Sequence, residues 1–164
     1  TYGKRYVFAD LHQTTLSASL RLNWTFTPRL SLQLYAQPLM AAGDYYNYKE
    51  LARPKGYEFL VYGKGGSTIT ENGSANELTV DPDGSGPATV FSIDNPDFNV
   101  YSFRSSAVLR WEFARGSAVY LVWTHNRFDD DGRPDFDLNR SFSRIGRTKP
   151  DNIFMVKASY WFNV

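Results

Sequence analysis

The sequence predicts an all-β fold: an antiparallel transmembrane β-barrel, present as the C-terminal arc of a larger barrel, with long extracellular loops. Three features lead there. Apolar and polar residues alternate with period two along several runs. The composition is rich in aromatics (16%) and poor in methionine, with 11 Tyr and 12 Phe against 2 Met, which favours strands. Finally, short turns and long polar loops alternate between the runs, as periplasmic turns and extracellular loops do in outer-membrane barrels.

The first strand is expected from Tyr6 to Phe26. Leu16, Ala18, Leu20, Leu22, Trp24 and Phe26 share one face, and Ser17, Ser19, Arg21, Asn23 and Thr25 the other. A Thr-Pro-Arg turn leads to a second strand, Leu30 to Ala42, where leucines alternate with Ser31, Gln33, Tyr35 and Gln37. Residues 43–98 read as a long Gly- and Asp-rich extracellular loop. Within it, Ser67 to Val80 reads as a hairpin around Asn72-Gly73, the preferred type I′ pair.

The third strand, Asn99 to Phe113, sets Tyr101, Phe103, Ala107, Leu109, Trp111 and Phe113 against Ser102, Arg104, Ser106, Arg110 and Glu112. A tight turn over Ala114 to Ser117 precedes the fourth strand, Ala118 to Phe128. Residues 129–151 form a second extracellular loop, and the fifth strand, Asn152 to Val164, closes the chain. The whole chain, 1–164, is thus one barrel segment. Five strands cannot close a barrel, since bacterial single-chain barrels start at about eight and are even in number. An arc of a longer protein is therefore expected, and the strand-like opening "TYGKRYVFADL" reads as though something preceded it.

Lipid is preferred to a protein core for the apolar face for two further reasons. Trp24, Phe26, Trp111, Phe113, Tyr160 and Phe162 all fall near the short-turn ends, where they would form one interfacial girdle. The strands also match the roughly 9–11 residues of a tilted membrane strand. Register would be enforced by charge, because an Arg turned to the bilayer midplane costs about 2–4 kcal/mol. The competing reading is a soluble β-sandwich that binds glycans through exposed Tyr and Trp.

The segments "YVFADLHQTTLSASLRLNWTFTPRLSLQLYAQPLMAAGDYYNYKELARP", "VDPDGSG", "NPDFN", "AVLRWEF" followed by "GSAVYLVW", and "NIFMVKASYWF" together resemble the C-terminal region of a bacterial family of unknown function. That resemblance implies an N-terminal sandwich, similar to family-nine carbohydrate-binding modules, ahead of a large outer-membrane barrel. It also implies labels of carbohydrate binding or glycoside hydrolysis that belong to the upstream module. It supplies no catalytic residues for this chain.

Composition and motifs narrow the chemistry. Net charge is +1, which gives no bulk attraction to nucleic acid, and the absence of Cys removes disulfides and thiolate sites. His12 and His125 have no ligand-spaced partner. Acidic, Gly-containing loops are the calcium candidates: Asp81 and Asp83 in "DPDGSG", and Asp129, Asp131 and Asp135 in "DDDGRPDFD". Neither carries the spaced Glu of an EF-hand. Arg140, Arg144, Arg147 and Lys149 form a basic run that would lie near lipopolysaccharide phosphates.

The nearest thing to a functional constellation is the set of charges expected to face the lumen: Arg21, Arg104, Arg110, Glu112 and Lys157. The expected function is a pore, or an anchor for an upstream carbohydrate-binding module, in the bacterial outer membrane. The expected partners are the lipid bilayer, lipopolysaccharide, the remaining barrel strands and glycans.

Overall fold

The computed structural model describes residues 4–73 and 76–162. Among them, ten antiparallel strands and one helix follow in order: β1 Val7–Ser17, β2 Leu20–Thr27, β3 Leu30–Leu51, β4 Phe59–Val61, β5 Thr68–Asn72, β6 Glu77–Asp81, β7 Phe91–Asp94, β8 Phe98–Ala114, β9 Ser117–Asp131, α1 Leu138–Arg147 and β10 Asp151–Ser159. The larger sheet is hydrogen-bonded in the order β1-β3-β8-β9-β10, with β2 and β4 also on β3, and the smaller in the order β5-β6-β7. The all-β expectation holds. The larger sheet is open among the described residues; no closed barrel forms.

The chain divides into two compact units. One comprises Thr15–Ala41, Val100–Asp131 and Phe136–Val164. Here β2 pairs with β3 from Leu20↔Ala36 to Thr27↔Leu30, and β10 pairs with β9 from Asp151↔Asn126 to Ser159↔Ala118. The run expected as one strand from Tyr6 to Phe26 is interrupted at Ala18 and Ser19. Continuing the β2–β3 register places Ala18 opposite Pro38, which has no N–H to return the ladder bond. One bond survives, from Ala18 N–H to the Pro38 carbonyl at 3.1 Å. The turn between β8 and β9 falls on Arg115-Gly116, with Gly116 at φ +71° in the left-handed region that favours glycine. The fifth strand ends at Ser159 rather than running to the terminus, and residues 163 and 164 lie outside the described set.

The other unit comprises Thr1–Thr14, Ala42–Asn99 and Gly132–Asp135. The sequence reads 43–98 as a loop with one hairpin. Instead β3 continues through Leu51, and β5, β6 and β7 form a three-stranded sheet. Alternation after Gly43 is broken by Asn47, which sits at φ +51°, a conformation asparagine tolerates better than most residues. That break hides the strand from a period-two search.

The β5–β6 register pairs Asn72 with Glu77, so the connection is residues 73–76 rather than a two-residue turn on Asn72-Gly73. Residues 74 and 75 of that connection lie outside the described set. Tyr48, Tyr62, Leu78 and Val80 are the buried core of this unit, flanked by Val7, Ala9, Tyr45, Ile69, Phe91 and Ile93. Gly43 leaves room for the Phe98 ring, since a Cβ there would meet ring carbon Cε1 at 2.3 Å.

Candidate functional site

The candidate site is the two-faced sheet built by β2, the first part of β3, β8, β9 and β10. Because successive strand residues point to opposite faces, the alternation in each strand sorts its side chains. On one face lie Arg21, Asn23, Gln33, Tyr35 and Ser106, which line a polar recess of about 380 Å³. The Arg21 guanidinium lies 5.4 Å from the Tyr35 ring centroid, a cation–π contact. Tyr35 donates to Gln37 Oε1 at 3.0 Å.

Of the five charges expected on this face, the structure pairs two. Arg110 Nη2 lies 2.8 Å from Glu112 Oε2, two residues along the same strand. Lys157 stands over the ring of Tyr120, its cross-strand partner, at 5.9 Å. Arg104 is exposed on the same side of β8 as Ser106, apart from the Arg110–Glu112 pair.

The other face is apolar and open. Leu30, Leu109, Trp111, Val119 and Leu121 line one hollow of about 220 Å³. Leu32, Ala107, Trp123, Phe154 and Val156 join Leu109 and Leu121 around a second of about 330 Å³. Large side chains here are far from buried: Leu20 is 62% exposed, Trp111 53% and Val156 72%. A soluble domain rarely exposes so broad a contiguous patch without a use for it.

The six aromatics expected to form a girdle make ring contacts in two groups. Trp24 stacks on Phe26 at 5.6 Å. Trp111, Phe113, Tyr160 and Phe162 make a row with centroid separations of 6.1, 6.4 and 4.8 Å. Both groups lie at the short-turn end of the sheet, where the Glu112 N–H donates to the Arg29 carbonyl at 2.8 Å.

At the opposite end of β9 the same face turns polar. Trp123 Nε1 donates to Asn152 Oδ1 at 3.0 Å, and His125 Nδ1 is 2.9 Å from that oxygen. Arg127 Nε donates to His125 Nε2 at 3.0 Å, which makes Nε2 the acceptor and assigns the His125 proton to Nδ1. Arg127 Nη1 then donates to the Ile145 and Gly146 carbonyls at 2.6 and 2.8 Å, capping the C-terminus of α1.

Helix α1 is absent from the sequence-based expectation, which takes 129–151 as a loop. Its signals are present in the chain. Asp137 is an N-cap whose side chain accepts from the Arg140 N–H at 3.0 Å; Leu138, Phe142 and Ile145 recur at helical spacing; and Arg144 and Arg147 occupy the last turn. Ser141 is fully buried, its hydroxyl bonded to the Asp137 carbonyl. Arg144 Nε bonds Asp129 Oδ2 at 2.7 Å, Nη1 bonds Asp131, and the guanidinium lies 5.5 Å from the Tyr101 ring centroid. The Asp129 hydrogen bond, opposed by partial desolvation, raises the Arg144 pKa further above its ordinary value.

These bonds bear on the calcium candidates. The carboxylates of Asp129 and Asp131 are matched by a guanidinium. Asp81 accepts from the Asp83 and Gly84 N–H groups at 3.3 and 2.8 Å, and Asp83 from Ala88 N–H at 2.9 Å, so both act as turn formers. Asp135 offers its backbone carbonyl to the buried Asn99 side chain at 2.8 Å. Among the described residues, no group of three or more His, Asp or Glu side chains converges on a metal position. Among the same residues, no helix is long and apolar enough to cross a membrane, which says nothing of crossing by strands.

No curated protein and no solved structure matches the chain. A family model described as a domain of unknown function, DUF5916, matches residues 1–164, and the chain belongs to that family.

Proposed function

We propose that the chain is part of the wall of a bacterial outer-membrane β-barrel whose polar face lines a water-filled interior. The observation that carries this reading is the uncovered apolar face shared by β2, β8, β9 and β10, opposite a face bearing Arg21, Arg104, Arg110, Glu112 and Lys157. Lipid would cover that apolar face without a second protein layer. Water inside the barrel would solvate the charges.

The open sheet points the same way. A membrane sheet must close on itself, because unpaired backbone groups in hydrocarbon cost several kcal/mol each. The outer edges of β2 and β10 would pair with further strands of the complete barrel. The aromatic row at the short-turn end would then lie at the periplasmic interface, and residues 43–98 and 129–151 on the extracellular side.

The functional role that follows is passage of small polar solutes, with the Arg110–Glu112 pair and Arg21 setting charge preference. The resemblance to a family with an upstream carbohydrate-binding module adds an anchoring role for such a module. The test is membrane fractionation of the natural polypeptide, followed by conductance in planar bilayers. We expect detergent-dependent extraction, faster gel migration before heating than after it, and discrete conductance steps whose ion preference shifts in Arg110→Gln. Membrane extraction without conductance would leave the anchoring role alone. A protein that stays soluble and monodisperse without detergent would overturn the barrel reading.

A further inference from the structure

Helix α1 is amphipathic, and its apolar stripe is exposed at Leu138 and Phe142 and half-buried at Ile145. Leu138 and Phe142 are 43% and 59% exposed and, with Ile145, fall on one face at i, i+4 and i+7. Ser141 and Arg144 lie on an adjacent face and fix the helix to the strand: Ser141 is buried, and Arg144 grips Asp129 and Asp131. Arg147 and Lys149 are exposed at the C-terminal end of the helix.

The place of that end matters. Arg127 holds the last helical carbonyls. It sits two steps beyond His125 and four beyond Trp123 on the same face of β9, and Trp123 stacks on Phe154 at 6.3 Å within the apolar band. The helix is therefore anchored where the apolar sheet face ends. The helix thus brings an apolar stripe to the rim of that surface, with Arg147 and Lys149 exposed at its C-terminal end.

We propose that α1 is an interfacial helix that lies on an anionic lipid surface, with Leu138, Phe142 and Ile145 in the headgroup–acyl boundary and Arg147 and Lys149 on lipid phosphates. This rests on the barrel reading above and adds a lipid-headgroup contact at the extracellular rim. Only three residues of its ten are large and apolar, and they share one face. A helix so polar overall gains nothing by crossing a bilayer, but it can lay one apolar face into the interface while its cations meet anionic headgroups. Pairing of Arg144 with two carboxylates ties the helix to the wall, while Arg147 and Lys149 stay exposed at its C-terminal end.

The chain has no cysteine, so a single introduced thiol carries a label to one defined place. The experiment labels Leu138→Cys, Phe142→Cys and Val156→Cys with an environment-sensitive fluorophore. Each protein is reconstituted into phosphatidylcholine vesicles with or without phosphatidylglycerol. All three labels should show blue-shifted emission and lose quenching by aqueous iodide. The shift at 138 and 142 should be larger with phosphatidylglycerol, and that difference should vanish in the Arg147→Gln/Lys149→Gln background. If 138 and 142 stay open to iodide while 156 is shielded, α1 stands in water and the proposal falls while the barrel reading survives. If 156 is itself open to iodide, the barrel reading falls and takes the proposal with it.

Discussion

Arg144 shows how a single side chain can organise a segment that composition describes only as polar. Its planar guanidinium meets Asp129 and Asp131 together and covers Tyr101, a combination that a lysine ammonium cannot reproduce. Arg144→Lys should therefore loosen α1 almost as much as Arg144→Ala. The partners are about one-third exposed or less, so solvent screening discounts the pair to about 1 kcal/mol. Hydrogen exchange of the α1 amides checks this: both variants should speed exchange there and leave the β5–β7 amides unchanged.

Tyr48 is the counterpart in the other unit. Its hydroxyl is buried without a hydrogen-bond partner among the described residues. Burial first, then Asp97 and Asp44, pushes its pKa from 10.0 up to about 12. A folded-state pKa above the unfolded value means stability is fully present below pH 10 and is lost as pH rises from there through about 12. Tyr48→Phe removes that loss and an unsatisfied hydroxyl. It should be neutral to about 1 kcal/mol more stable at pH 7 and should raise the alkaline unfolding midpoint, read by circular dichroism.

At the scale of elements, the strands of the two-faced sheet are legible because alternation there is nearly unbroken: Leu20 to Phe26, Leu30 to Ala36 and Tyr101 to Phe113 each hold one period. Where the structure departs from the sequence reading, a local device interrupts the period. Pro38 opposite Ala18 splits β1 from β2, and Asn47 at positive φ hides the last part of β3. Helix α1 escapes a sequence reading because its apolar residues are sparse among arginines and serines, although its N-cap and spacing are in view. Asp137→Ala should cost about 1 kcal/mol, seen as lost helical signal and faster exchange in α1. At the hairpin of β8 and β9, Gly116→Ala meets both a left-handed backbone and Trp161 Cβ at 3.0 Å. A loss of about 1–2 kcal/mol is expected in thermal melts, from the conformational cost alone.

At the scale of the molecule, one substitution separates lipid from water. Val156 is 72% exposed on the apolar face. In a soluble protein Val156→Arg would change stability by no more than about 0.5 kcal/mol, as exposed substitutions usually do. At the midplane of a bilayer the same change costs about 2–4 kcal/mol. Reversible unfolding of the variant from vesicles measures which applies, and the barrel reading requires the larger loss.

The sequence by itself determined the all-β class, the two faces of the sheet, the short turns, and which side chains share each face. Period-two order is a local property of the chain, and the penalty for misplacing an Arg or a Trp falls residue by residue. Only the tertiary structure decided that 43–98 contains a packed unit around Tyr48, Tyr62, Leu78 and Val80, that Asp129 and Asp131 hold an arginine, and that α1 docks beside the apolar band. Those outcomes depend on partners distant in the chain, such as Tyr48 with Val80, and long-range pairing of this kind leaves no period to read.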